Sequence, residues 1–272
     1  TKLGLDLSSN YIDMVQDTNY LKYQGKSHNK QLFVDAFPYV QFKHAPTQLN
    51  VKVGAITTYN IATIDSMPGK NNFKINPFVQ FEKTLTGLNL NLYGGLDGGL
   101  KKNSFRRLNA TMPFLSDSIS VKNSYESVNI YVGIKGKITQ NAEFALDMGG
   151  NNSSDFGLVV SNNDSLGSLN YTYVDNINSV YFRTFVKYHI GEQLNVSAHA
   201  KVTNYNTVDA NSYAWHLPGF VYGATAKYNL GKNIELVAGF DGVSKRYNQV
   251  VVNGNKQSKE IPGFMDLHAR ID

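Results

Sequence analysis

The chain has 272 residues and carries 26 basic against 21 acidic side chains, a formal net charge of +5. Charged residues make up 17%, while Tyr and Phe number 17 and 15 and Asn reaches 31 beside 23 Gly. Asn and Gly form turns better than helices and aromatics suit strands, which excludes a helical bundle and a disordered chain, and zero Cys excludes disulfide scaffolds, thiolate zinc sites and cysteine nucleophiles.

Successive side chains of a strand face opposite ways, so odd and even positions sort into rows. In chain order, uncharged rows run through Leu3, Leu5 and Leu7; Leu32, Val34 and Ala36; Leu49, Val51 and Val53; Phe73, Ile75, Val79 and Phe81; and Leu88, Leu90 and Leu92. They continue through Val128, Ile130, Val132 and Ile134; Phe144, Leu146 and Met148; Val180, Phe182, Val186 and Tyr188; and Val196, Ala198, Ala200 and Val202. The last are Phe220, Tyr222, Ala224 and Tyr228; Leu236, Ala238 and Phe240; and Met265, Leu267, Ala269 and Ile271. The alternate rows carry the charges: Lys135, Lys137, Glu143, Asp147, Arg183, Lys187, Lys201, Lys227, Glu235, Asp241, Asp266 and Arg270.

The pattern predicts twelve antiparallel strands, at 2–13, 31–43, 49–60, 72–84, 88–98, 126–139, 142–150, 179–190, 193–205, 217–230, 233–247 and 261–272. Two short pieces, 155–161 and 167–175, read as an excursion inside one connection. Most of the twelve exceed the ~5–6 residues of a globular strand and match the ~9–11 needed to cross a bilayer at a tilt. Connections alternate: short at 44–48, 84–87, 139–141, 191–193 and 231–233, long at 14–30, 61–71, 99–125, 151–178, 206–216 and 248–260. No apolar run reaches the ~18 residues of a membrane helix. A soluble β-sandwich also alternates, but neither its strand lengths nor its loops would sort this way. The reading is one all-β domain over 1–272, an antiparallel transmembrane β-barrel with short periplasmic turns, long extracellular loops and the charged row facing the lumen.

The lumen charges have both signs on neighbouring strands. Across the turn at 139–141, Lys137 should face Glu143 and Lys135 should lie diagonal to Asp147, a ladder of ion pairs rather than a single-sign ring that selects ions. Ser197 and His199 share a face, yet no Gly-x-Ser-x-Gly elbow exists and local spacing puts no acid beside His199, so no hydrolase is expected. No histidine pair has metal-ligand spacing on one strand. The loops 151–155 and 162–165 are rich in Asn, Ser and Asp, which turn chemistry explains better than calcium. The basic clusters Lys101-Lys102 and Arg106-Arg107 both fall in one loop, which argues for a lipopolysaccharide-rich surface over nucleic acid. No catalytic, cofactor or metal site is expected.

The string Asn123-Ser124-Tyr125-Glu126-Ser127-Val128-Asn129-Ile130-Tyr131-Val132-Gly133-Ile134-Lys135-Gly136 resembles a strand of TonB-dependent receptor barrels of the Bacteroidetes type. The hairpins at 191–196 and 231–236, and the Leu217-Pro218-Gly219 and Ile261-Pro262-Gly263 strand starts, are also similar. The resemblance covers about residue 90 onward. It implies a receptor- or transporter-like barrel in the bacterial outer membrane that moves or binds a small solute. The alternative is a non-transporting scaffold barrel within a larger assembly. The expected partners are outer-membrane lipid, lipopolysaccharide and other outer-membrane proteins. The chain departs from the family in showing no plug before its first strand and twelve strands against the 22 of such transporters. A barrel extended by further strands is therefore expected, with 2–13 not paired to 261–272.

Overall fold

The computed structural model describes residues 1–17, 26–64, 67–68, 72–112, 115, 121–161, 169–207, 213–231, 234–252 and 255–271. Its strands are β1 (Lys2–Asp17), β2 (Lys26–His44), β3 (Leu49–Ile64), β4 (Met67–Pro68), β5 (Asn72–Leu85), β6 (Leu90–Lys101), β7 (Ser124–Thr139) and β8 (Ala142–Ser161). They continue with β9 (Leu169–Ile190), β10 (Leu194–Thr207), β11 (Phe220–Asn229), β12 (Glu235–Val243), β13 (Arg246–Val252), β14 (Asn255–Ile261) and β15 (Phe264–Ile271). Among the described residues one α-helix, α1 (Phe105–Thr111), and a single 3-10 turn, Thr86–Leu88, interrupt them.

Twelve strands form a single antiparallel meander in the order β1-β2-β3-β5-β6-β7-β8-β9-β10-β11-β12-β15, with β4 beside β3 and β13–β14 as a separate hairpin. Each long strand meets the next through a tight connection at one end, hereafter the turn end. Gly191 and Gly231 take φ of 63° and 102° there, a left-handed backbone that glycine adopts without strain. The opposite loop end carries the long connections.

Register is fixed by size complementarity across the ladder. Tyr93 stands opposite Gly133, Tyr131 opposite Gly95, and Tyr181 opposite Gly149. A Cβ on Gly133 would lie 2.5 Å from Tyr93 Cζ, and one on Gly149 would lie 2.7 Å from Tyr181 Oη. Each ring therefore lies flat across the neighbouring backbone, covering a glycine that would otherwise pack nothing.

The ladder breaks in few places, and two of the breaks are bridged by side chains. β7 shifts register between Glu126 and Val128. The carbonyls of Glu126 and Ser127 both accept from Asn76 Nδ2 at 3.2 Å, and Asn76 is fully buried. Where Phe37 and Pro38 interrupt the β2–β3 ladder, Thr57 Oγ1 donates to the Ala36 carbonyl at 2.8 Å. Buried backbone acceptors are costly to leave unmade, so these side chains act as patches for the sheet.

Three sequence expectations need correction. The pieces at 155–161 and 167–175 are no excursion: the β8–β9 ladder runs on to Ser161 and Leu169, making strands of 20 and 22 residues. Alternation blurs there because Asp155 takes φ 50° and Leu158, Val159 and Val160 are all buried. The expected strands at 233–247 and 261–272 end and begin differently, since most of the connection between β12 and β15 is the β13–β14 hairpin. The loop after β6 holds α1, capped by Ser104, whose Oγ accepts from Arg107 N. The loop stretch 162–165 lies outside the described residues.

The meander has two free edges, β1 and β15, and no ladder joins them among the described residues. Leu5 is 59% and Leu267 71% exposed.

Gly133→Leu should displace Tyr93 and cost about 1–3 kcal/mol through overpacking. Gly87→Ala, where a Cβ meets nothing within 4 Å, should be close to neutral. Urea unfolding followed by tyrosine fluorescence measures both, and equal effects would mean that the tyrosine–glycine pairs do not set register.

Candidate functional site

The charged row forms one continuous polar face. Lys137 stands opposite Glu143 in register and their charged groups are 3.4 Å apart, while Lys187 faces Glu143 from β9. Arg183 stands opposite Asp147, with Nε 3.0 Å from Oδ2. Lys227 reaches Glu235 at 3.4 Å. Lys135 does lie diagonal to Asp147 in register, but its ammonium goes the other way, to Glu82 on β5 at 2.9 Å. Arg183, directly across from Asp147, has already taken that carboxylate.

Lys201 has Nζ 5.0 Å from the Tyr181 ring centre. Lys52, on the same face toward the turn end, points into three rings, 3.7 Å from Tyr39, 4.5 Å from Phe37 and 5.9 Å from Phe78. Aromatic faces attract cations most where water is scarce. Asp266 faces Asp241 across β12 and β15, and Arg270 lies one turn-ward step beyond His268 on the same row.

An enclosed carboxylate of this face is Asp147, whose side chain is only 5% exposed. Tyr93 Oη also donates to its Oδ2, at 3.3 Å. Beside it lies an open cavity of about 490 Å³, lined by Tyr93, Asp147, Arg183, Phe185, His199 and Lys201. A cavity with both charge signs, two aromatic rings and an imidazole can hold a polar solute by hydrogen bonds and stacking.

His199 does have an acid beside it. Its Nε2 is 3.8 Å from Asp241 Oδ1, and His268 Nδ1 is 3.8 Å from Oδ2 of the same carboxylate. Gly223 separates His199 from Asp241 in the ladder and leaves the space for them to meet. One strand, β11, intervenes, so spacing along one strand gave no sign of it. No hydrogen bond joins Ser197 to His199 among the described residues. No group of three or more acidic or imidazole donors is placed to hold a metal among those residues either.

At the loop end the connections pack on one another. Trp215, 5% exposed, closes a core with Leu158, Val160, Val174 and Ile177. A second cluster seats Leu108 of α1 and Leu115 beside Leu169 and Tyr171. The basic clusters of this region are partly neutralised: Lys101 pairs with Glu126 at 2.7 Å, and Lys102 with Asp35. Three segments meet at Asn248. Its Oδ1 accepts from Ser161 N and from His216 Nε2, each at 3.0 Å, and its Nδ2 donates to Ser161 Oγ. Burial lowers the His216 pKa, against the raising effect of the Asn248 hydrogen bond and together with the nearby Arg246 charge.

No family model matches the chain, and no curated protein matches it. Solved structures do. The copper transporter OprC aligns over 99% of the chain with TM-score 0.62 and 12% identity. The FrpB iron transporter from Neisseria meningitidis (F3-3 variant) aligns over 97% with TM-score 0.63 and 12% identity. The pyoverdine outer membrane receptor FpvA from Pseudomonas aeruginosa PAO1 aligns over 90% with TM-score 0.62 and 12% identity. The chain spans 45%, 44% and 36% of those three structures. The fold is therefore that of outer-membrane receptor barrels, an all-β antiparallel sheet of transmembrane type.

Arg183→Met should cost about 1.5–3 kcal/mol, because it takes a charged hydrogen bond from a buried carboxylate. Lys137→Met, in a pair exposed on both sides, should cost under ~1 kcal/mol. Chemical denaturation of the two variants checks this, and a larger loss for Lys137 would contradict the burial argument.

His216 is held neutral, so its contribution is full above the ordinary imidazole range near ~6.5 and is lost as pH falls through its lowered folded value. After correction for the intrinsic pH dependence of amide exchange, protection at 213–217 should fall on acidification, and His216→Gln should remove the fall. Protection independent of pH in the unsubstituted protein would contradict it.

Proposed function

We propose that the chain is the barrel portion of a receptor- or transporter-like protein of the bacterial outer membrane, binding or moving a small solute. The observation that carries this reading is the meander itself, with an uncharged row on one side and a paired-charge row on the other. It aligns over 90% or more of its length with outer-membrane transporters and receptors. In this reading the uncharged rows face lipid and the polar face lines the lumen. The turn end is periplasmic and the packed loop end extracellular. The copper, iron and pyoverdine in the neighbours' names support a metal ion or metal chelate as the solute class. The cavity beside Asp147 and the loop-end surface are its candidate stations. The protein is not an enzyme, and outer-membrane lipid, lipopolysaccharide and neighbouring barrel proteins are its partners. The sequence strings noted at 123–136 favour the Bacteroidetes-type branch.

The two free edges belong to this proposal. An unpaired backbone in hydrocarbon costs several kcal/mol per group, so β1 and β15 require partners. The chain spans less than half of the receptors it aligns with, which supports further strands of the same barrel as those partners.

Single cysteines test the topology and conductance tests the activity. On intact cells a maleimide should label position 106 and spare position 140, and the full-length protein in planar bilayers should show solute-dependent current steps or solute binding. Labelling of 140 alone would invert the topology. A correctly inserted barrel that neither binds nor conducts would favour the scaffold role instead.

A further inference from the structure

On the side away from the lumen, the loop end of the apolar band finishes in a row of carboxamides. Asn206 on β10 stands opposite Asn178 on β9, and Asn178 opposite Asn152 on β8. These positions continue the uncharged rows of Val202, Val180 and Met148, so they face the same way. Asn152 is tied into the row: its Nδ2 donates to Asn178 Oδ1 at 2.6 Å and Asn176 Oδ1 at 2.7 Å, and its Oδ1 accepts from Ser127 Oγ at 2.6 Å. Asn178 and Asn206 are exposed, and among the described residues neither amide nitrogen donates to a protein acceptor.

One step toward the turn end, Gly150 lies between Ile130 and Val180 in register. With no side chain there, the surface dips into an open groove of about 530 Å³, walled by Val128, Ile130, Met148 and Val180 and rimmed by Asn152 and Asn178. No charged side chain lines it.

We propose that this groove seats one acyl chain of an outer-leaflet lipid of the lipid A class, with its amide or ester linkage hydrogen-bonded to the Asn152–Asn178–Asn206 row. The inference rests on the outer-membrane reading above. The occupant's chemistry follows from the groove. Its lower half is apolar and its rim is uncharged, so the rim takes neutral groups and not a phosphate, which calls for Arg or Lys. A carboxamide both donates and accepts. Acyl carbonyls together with the hydroxyls of lipid A acyl chains answer both functions, whereas a glycerophospholipid linkage offers acceptors only. The groove also lies at the loop end, which puts it in the outer leaflet.

Native mass spectrometry of the intact protein, extracted from outer membranes and progressively delipidated, tests this. Gly150→Leu fills the groove: a Cβ there stands 3.2 Å from the Ser179 carbonyl oxygen and 3.7 Å from Val180 Cγ2, close but not blocked. The double variant Asn178→Ala, Asn206→Ala removes the free donors and leaves the groove open. Unsubstituted protein should retain one lipid A per chain. Each variant should lose it about fivefold more readily, the scale of one net hydrogen bond, with folding followed by heat-modifiable gel migration. If Gly150→Leu fails to fold, the double variant alone decides. Unchanged retention in the folded variants, or retention of glycerophospholipid in place of lipid A, would overturn the seat while leaving the outer-membrane reading intact. Recovery of the protein outside the outer membrane would remove both.

Discussion

The cross-strand fit of tyrosine on glycine is the constraint on which the other features rest. In a sheet of period two, a slip of one residue moves every side chain to the opposite face. Here such a slip would carry Val132 and Phe182 inward and Lys135 and Arg183 outward, and it would set Tyr93 against a side chain in place of Gly133. The backbone ladder alone cannot forbid the slip, since its hydrogen bonds are the same in either register. Ring-sized gaps at Gly95, Gly133 and Gly149 can. Once they lock β6 to β9, the Asp147–Arg183 pair, the lumen cavity and the outward Asn row are all placed by strand geometry.

The two ends of the sheet use different physics. At the turn end, connections of two to five residues suffice, four of the five with a left-handed backbone position at Gln48, Asn89, Gly191 or Gly231. At the loop end, β8 and β9 run far past the length a bilayer needs, ~9–11 residues. Their projecting part is stabilised by its own apolar core around Trp215 and by the His216–Asn248–Ser161 junction. Sequence change at the loop end can then sit on segments buttressed by one another without disturbing the lower ladder.

How much of this was legible in the sequence follows from which interactions are local. All twelve meander strands show the two-residue period, because each has one face in a uniform environment. The sorting of connections by length was equally visible. Lys137 and Glu143 could be matched because a tight turn joins their strands and counts out the register. Glu82 as the partner of Lys135 could not, since it lies two strands away across β6 and competition with Arg183 for Asp147 decides it. The meeting of His199 and Asp241 depends on the vacancy at Gly223, a strand between them. The β13–β14 hairpin and the ends of β8 and β9 were obscured for another reason. They stand clear of the uniform environment, so both their faces are mixed and the period fades at Asp155.

The free edges impose a parity rule on whatever completes the sheet. β1 runs from the turn end to the loop end and β15 runs back, so the two edges already have the opposite senses that antiparallel closure demands. An odd number of added strands would leave one parallel pair where the edges meet, slightly less stable per residue than an antiparallel one. Strands that keep every pair antiparallel therefore come as whole hairpins, each adding one unit to both ends. Direct closure of β1 on β15 satisfies the same parity. The structure does not adopt it, and both faces of β15 stand exposed. Among the described residues β15 thus has an open edge on the side away from β12, and a strand that pairs there must run antiparallel to it to continue the order of the sheet.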